Sequence, residues 1–227
     1  MNSLRRSRIG WRANLRQLST LLGIAVVATF VALTSTATSI TPWEARDWTQ
    51  WTEQDCEQIL TSSPWVSTNS TNGPATYEKG ERSKAVAQIA SSLVIRQASV
   101  RQAQLQQDRD HMDAKAKQQF DQQAAACLNQ NVEDRIVIGL DAYSQTDDSK
   151  VTGNVEISKR TYPLTQTSDW ITSNPCPFYA VVVTIPRVQS GNSVIGAADK
   201  KLEIKSPSMR KFSFDPQKMI YKGKPDF

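Results

Sequence analysis

Two β-branched runs constrain this chain most. Arg135 to Leu140 (RIVIGL) and Ala180 to Ile185 (AVVVTI) have strand length and are bounded by turn formers, which marks them as central strands. Val151 to Ile157, Lys201 to Lys205, Lys211 to Phe214 and Met219 to Tyr221 are shorter strand candidates in the same half. No helical pattern alternates with them, so an antiparallel sheet or sandwich follows more naturally than a βαβ array. The pattern predicts an α+β fold: a short N-terminal helix and a helical segment packed on a mainly antiparallel sheet or small sandwich.

The helical segment precedes these strands. Ala85 to Ser92 is ambiguous in period and reads as a strand, and a helix follows from about Leu93 to Asp110 through Val94, Ala98 and Leu105. Ala116, Phe120, Ala124, Cys127 and Leu128 recur at steps of four, three and one and predict a second helix over about 113 to 129. Ten of the 34 residues from Gln97 to Gln130 are glutamine, which suits solvated helix faces; no heptad is sustained. Further upstream, Thr52 is an N-cap with Asp55 at the capping-box position, and Trp51 and Cys56 occupy the positions of a hydrophobic staple. Ile59 and Leu60 complete a narrow apolar stripe and Pro64 stops the helix, giving about 53 to 61. Residues 66 to 81 are rich in Ser, Thr, Asn and Gly and read as a linker or long loop.

The N-terminus carries an address. Five of the 27 basic residues (Arg5, Arg6, Arg8, Arg12 and Arg16) lie ahead of the first acid, Glu44, leaving 22 basic against 22 acidic residues. The net charge of +5 therefore belongs to the leader, and the neutral remainder offers no footprint for nucleic acid. Leu21 to Leu33 is apolar and small residues follow to Ser39, the three-part layout of a secretory signal. Thirteen residues rise about 20 Å, short of the roughly 30 Å hydrocarbon core. A signal peptide over 1–37 is expected, cut after Ala37 or Ser39. The alternative is an uncleaved anchor over Leu18 to Ile40, with its arginines in the cytoplasm. Arg8 stands where a twin-arginine signal usually has an apolar residue. The expected division is thus 1–37 signal or anchor, 38–81 short helix plus polar linker, and 82–227 α+β domain. The expected location is periplasmic or extracellular, or the inner membrane surface if residues 18–40 are retained.

Cys56, Cys127 and Cys176 lack zinc spacing and paired histidines. In an oxidising compartment they allow three single bridges. Cys56 with Cys127 is preferred, because both fall on helices among apolar neighbours, with Cys176 in the Pro175-Cys176-Pro177 turn as the spare. Three unbridged, buried thiols are the alternative.

Trp51-Thr52-Glu53-Gln54-Asp55-Cys56 with Ile59-Leu60 and Ser63-Pro64-Trp65, then Ile95-Arg96-Gln97-Ala98, then Lys218-Met219-Ile220-Tyr221-Lys222-Gly223-Lys224 resemble a family of uncharacterised exported bacterial proteins. The resemblance implies export, a tryptophan-led helix ending in a Ser-Pro-Trp turn, a strand running into the helix that holds Arg96, and closing strands at the C-terminal side. The chain departs from the family at Val94, where proline is usual. The resemblance implies no activity.

Four of the six tryptophans, Trp43, Trp48, Trp51 and Trp65, lie within 23 residues. Trp51 and Trp65 are expected to pin the ends of the short helix, leaving Trp43 and Trp48 as the candidate interaction surface. Arg96 is expected to pair with an acid and fix its helix start. Arg101 repeats the Arg-Gln-Ala motif five residues on, but about 140° around the helix, so the two make no patch. His111 is the only histidine and sits in a polar stretch. Asp147-Asp148 reads as a loop tip, and Lys218, Lys222 and Lys224 as a solvated edge. None of GxSxG, HExxH, GxxxxGK[ST] or GxGxxG occurs. No catalytic, metal or cofactor residue is assigned. The leading expectation is an exported envelope or periplasmic protein with a non-catalytic interaction or structural role, its partner an envelope protein or cell-wall glycan. A carboxylate-dependent hydrolase or glycan-binding protein, and a membrane-tethered assembly factor, are the alternatives.

Overall fold

The computed structural model describes residues 43–70, 84–141, 152–206 and 211–227. The chain divides into two units, Met1–Ile40 and Thr41–Phe227, and every described residue belongs to the second. The expected signal segment, residues 71–81 of the expected linker and Asp147-Asp148 lie outside the described residues.

The protein is α+β. Its helices among the described residues are α1 (Glu53–Ser62), α2 (Leu93–Gln106) and α3 (Ala114–Leu128). Strands β1 (Val66–Ser70), β2 (Lys84–Ile89), β3 (Arg135–Asp141), β7 (Val181–Pro186) and β6 (Thr165–Gln166) form one antiparallel sheet in the order β1-β2-β3-β7-β6. Strands β11 (Phe212–Phe214), β10 (Leu202–Lys205), β4 (Asn154–Ile157) and β5 (Arg160–Pro163) form a second, in the order β11-β10-β4-β5. Two small hairpins complete the set, β8 (Val188–Gln189) with β9 (Asn192–Ser193) and β12 (Ile220–Tyr221) with β13 (Lys224–Pro225). Among the described residues no helix is long and apolar enough to cross a membrane.

The two sheets share one core. Ile136, Ile138, Leu140, Val183 and Ile185 from the first meet Val155, Ile157, Leu202, Ile204, Phe212 and Phe214 from the second. The sheets also meet at their edges. Chain runs from β5 through Leu164 into β6, and across the other edge the Ser213 amide donates to Ser67 Oγ at 3.1 Å and Asn69 Nδ2 to the Lys211 carbonyl at 2.8 Å. The contact of β1 with the β11 strand joins one edge of each sheet. It also corrects the linker reading, since Val66–Ser70 forms strand β1 against β2, with Val66 opposite Gln88. The polar Ser67 and Asn69 that disguised this strand are the residues that stitch it to β11.

Local chemistry accounts for the helix ends. The Asp55 amide donates to Thr52 Oγ1 at 3.2 Å and the Thr52 amide to Asp55 Oδ2 at 2.8 Å, the reciprocal capping box expected from the sequence. Trp51 and Cys56, the staple pair, are both fully buried. The helix ends at Ser62, just before Ser63-Pro64. Ser92 caps α2, and Asp113 caps α3 through the Ala116 amide at 2.9 Å. Arg135–Asp141 and Val181–Pro186 are adjacent central strands buried on both faces, which explains why their apolar runs show no alternation. Three two-residue turns put both residues at positive φ: Ser158-Lys159, Ser190-Gly191 and Lys222-Gly223. That geometry matches the twist of the flanking strands.

Candidate interaction surface

The structure places the tryptophan-rich segment inside. Trp43 is 3% exposed, with its ring 5.6 Å from Trp51, 6.3 Å from Trp65 and 6.4 Å from Tyr221. Its carbonyl accepts the Trp51 indole N–H at 2.9 Å. Trp48 is half-buried and packs against both the main core and the apolar cluster between α2 and α3. Trp43 and Trp48 are therefore not an exposed pair; the rings of Trp43, Trp51, Trp65 and Tyr221 pack on one another and bury Trp43 among them. Trp65 pins its helix end as expected, and its indole N–H reaches the Asp226 carbonyl. Around Asp55, burial opposes ionisation, but hydrogen bonds from Thr52 and the Arg46 guanidinium at 2.7 Å outweigh it and hold the carboxyl below its ordinary value.

Arg96 departs from expectation in its partners. It is 5% exposed and donates to the carbonyls of Ser91 at 3.1 Å, Ser92 at 3.4 Å and Leu128. It clasps the end of α3 to the start of α2 without a carboxylate in contact. The acid at that helix start is Asp226, from the far end of the chain. Its carboxylate accepts from the Ser92 hydroxyl at 2.6 Å, the Leu93 amide at 2.8 Å and the Val94 amide at 3.1 Å. The two amides are orphan donors of a first helical turn, where negative charge is favoured. Burial pulls the Arg96 guanidinium below its usual value, with Asp226 opposing.

The cysteines pair differently from the sequence expectation. Cys127 is bonded to Cys176, with Cα atoms 5.5 Å apart, and Cys56 is the free, buried thiol. Both Cys56 and Cys127 are apolar-facing helix residues, but they belong to different clusters. Cys56 faces the main core, whereas Cys127 and Cys176 lie with Val100, Ala103, Phe120 and Ala124. Burial pushes the Cys56 thiol up to about 11, so it is a poor nucleophile.

That bridge fastens a segment, residues 167–180, which displays the largest exposed apolar side chain among the described residues. Phe178 is 75% exposed, two residues beyond Cys176. The segment is held at many points. The Thr167 amide donates to the Val182 carbonyl at 3.0 Å, and Arg135 meets Asp169 at 2.9 Å. The Ile171 amide donates to Gln130 Oε1 at 2.7 Å, and Gln107 Nε2 to Asn174 Oδ1 at 3.0 Å. Trp170 and Tyr179 bury their rings against Val137, Val182 and Ala90, covering the outer face of the five-stranded sheet. Tyr179 lies so close to β3 that a Cβ on Gly139 would stand 2.3 Å from its ring, so only glycine fits there. Its hydroxyl donates to Gln88 Oε1 at 2.9 Å. Burial alone pushes that phenol's pKa upward. Ile171 is 37% exposed on the same segment, and Leu105 is 36% exposed near the end of α2, which Gln107 ties to it. A phenylalanine held outward by a fastened backbone loses little conformational freedom on being covered, the property of an interface anchor. In sequence, Pro175-Cys176-Pro177-Phe178 signalled a turn but not which ring faces water.

His111 is 82% exposed and bonded to Asp108 at 2.7 Å, whose carboxylate raises its pKa. Among the described residues no three His, Cys, Asp or Glu side chains gather to hold a metal ion. Glu156 and Glu203 are opposite each other on β4 and β10, but Lys201 and Lys211 hold Glu203 down to about 2. A carboxyl that stays ionised in this way is no general acid at neutral pH. Comparison with protein-family models, curated proteins and solved structures finds no match.

Proposed function

We propose that this is an exported protein of the bacterial envelope or periplasm with a non-catalytic role, binding a protein partner through Phe178 and the segment 167–180. The observation that carries the reading is a 75% exposed phenylalanine on a backbone fastened by the Cys127–Cys176 bridge. Export is supported by the arginine-rich start, the apolar run Leu21 to Leu33 and the small residues to Ser39. A bridge closing 49 residues suits an oxidising compartment. The resemblance to exported bacterial proteins through Trp51–Trp65, Ile95–Ala98 and Lys218–Lys224 points the same way.

The test is site-specific photocrosslinking in cells, with the crosslinker at position 178 or at Lys115 on α3, followed by fractionation of the envelope. A discrete protein captured only from position 178, and lost when Ile171 is replaced by serine, is the expected result. Capture of nothing, or of the same proteins from both positions, overturns the reading. Intact mass of the isolated protein decides between a cleaved signal and a retained tether over residues 18–40.

A further inference from the structure

On the second sheet, the residues facing away from the core follow strict alternation. Leu202 and Ile204 point inward with Val155 and Ile157, and Glu203, Glu156, Ser213 and Thr161 form one cross-strand row on the opposite face. Glu203 is only 7% exposed, because lysines close over it. Lys201 and Lys211 each bring Nζ to 2.7 Å from its carboxylate, Lys205 stands at 3.9 Å, and Lys205 also pairs with Glu156. The three ammonium-bearing side chains remain 57%, 58% and 47% exposed, so the carboxylate lies beneath them and their outer sides face solvent.

The local charge is unbalanced in a chain that is neutral beyond its leader. Lys159 and Lys200 are exposed at the end of the sheet where β4 turns into β5 and where the chain enters β10. Together with Lys201, Lys205 and Lys211 they set five cations against Glu156 and Glu203. Among the described residues, the neighbouring Asp199 is paired with Arg160 at 2.5 Å and Asp215 with Lys218 at 3.5 Å. We propose that this outer face of the β5-β4-β10-β11 sheet is a binding site for a polyanionic chain, with Glu203 as the organiser of its lysines.

The physical case is pre-organisation. A surface lysine ordinarily surrenders much of its side-chain rotamer freedom when it is fixed on an anion. Here a sunken carboxylate has already gathered three ammoniums onto one side of a sheet, and each retains N–H donors for a second partner. A simple monovalent anion would gain little from a cluster of three lysines and two glutamates. A chain of closely spaced anionic groups can engage that cluster and the Lys159–Lys200 end together, and gains by multivalency. The site lies on β4, β5, β10 and β11 and is independent of Phe178.

Tripolyphosphate titrated into the isolated protein at low ionic strength tests the proposal. The expected result is saturable binding that K201Q/K211Q weakens at least tenfold, while K115Q/K117Q, the same charge change on α3, alters it less than twofold. Because K201Q/K211Q also strips the partners from a buried Glu203, a second measurement uses the unaltered chain. Tripolyphosphate should shield Lys201, Lys205 and Lys211 from acylation and leave Lys115 and Lys117 reactive. Absence of saturable binding, equal loss in both double variants, or no selective shielding overturns the proposal.

Discussion

Trp43 and Phe178 are large aromatic residues in turn-rich stretches beside proline, and they meet opposite fates. Trp43 is 3% exposed under Trp51, Trp65 and Tyr221, whereas Phe178 is 75% exposed on a segment held by a disulfide. The difference lies in what surrounds them. The stretch from Trp43 to Trp65 supplies several rings that bury one another, and its indole N–H groups find main-chain carbonyls at Trp43 and Asp226. The segment 167–180 buries Trp170 and Tyr179 against one sheet face and Cys176 against α3, which leaves Phe178 facing away. Mutual packing of aromatics thus makes core here, and Phe178 faces water although Tyr179 beside it is buried.

Breaking the buried side should have the largest consequence. Trp51→Ala removes a fully buried ring and its hydrogen bond to Trp43, and should cost about 3–5 kcal/mol in denaturant unfolding. The fastened side comes next. Cys176→Ser, or reduction of the bridge, should cost about 2–4 kcal/mol, the scale for a loop of this length. Peptide mapping of the unreduced protein should recover Cys127 joined to Cys176, with Cys56 alkylated only after unfolding; a Cys56-containing bridge would contradict the pairing.

Asp226→Ala probes the tail that closes over the tryptophans. It removes the acceptor of the Ser92 hydroxyl and of two helix amides, and should cost about 1–2 kcal/mol by thermal or chemical melting. Phe178→Ser sharpens the contrast from the other side. It should change stability by less than about 0.5 kcal/mol while abolishing capture of the partner. The smallest effect concerns acid. Glu203 is held down to about 2 from an ordinary 4.5 by Lys201 and Lys211. Its stabilising contribution is complete above about pH 4.5 and is lost as pH falls toward 2. Glu203→Gln should flatten the dependence of stability on pH in that interval, measured by melting at stepped pH. The effect is shallow because its lysine partners are more than half exposed.

Much of the element order was legible. The capping box at Thr52 and Asp55 is a four-residue signal, the stripe from Ala116 to Leu128 repeats at helical spacing, and β3 and β7 are β-branched runs too apolar for any place but a sheet centre. Strand β1 was hidden because Ser67 and Asn69 are polar for a tertiary reason, their bonds to β11. The hairpin of β8 and β9 carried only the turn dipeptide Ser190-Gly191, with flanking strands of two residues that hold no period. Of the candidate surface, Trp43 is buried and Trp48 half-buried, and Phe178 had no local mark to separate it from Tyr179 next to it.

The sequence by itself determined the α+β class, the helix starts and the central strands, because caps and periodicity act over at most a few residues and need no partner from afar. Only the tertiary structure decided which cysteines join across 49 residues, that Asp226 caps a helix starting at Leu93, which aromatics face water, and that Glu203 sits beneath three lysines. Each of those outcomes depends on chain closure over a distance at which residue identity alone selects no partner, and the packing of two sheets and three helices supplies it.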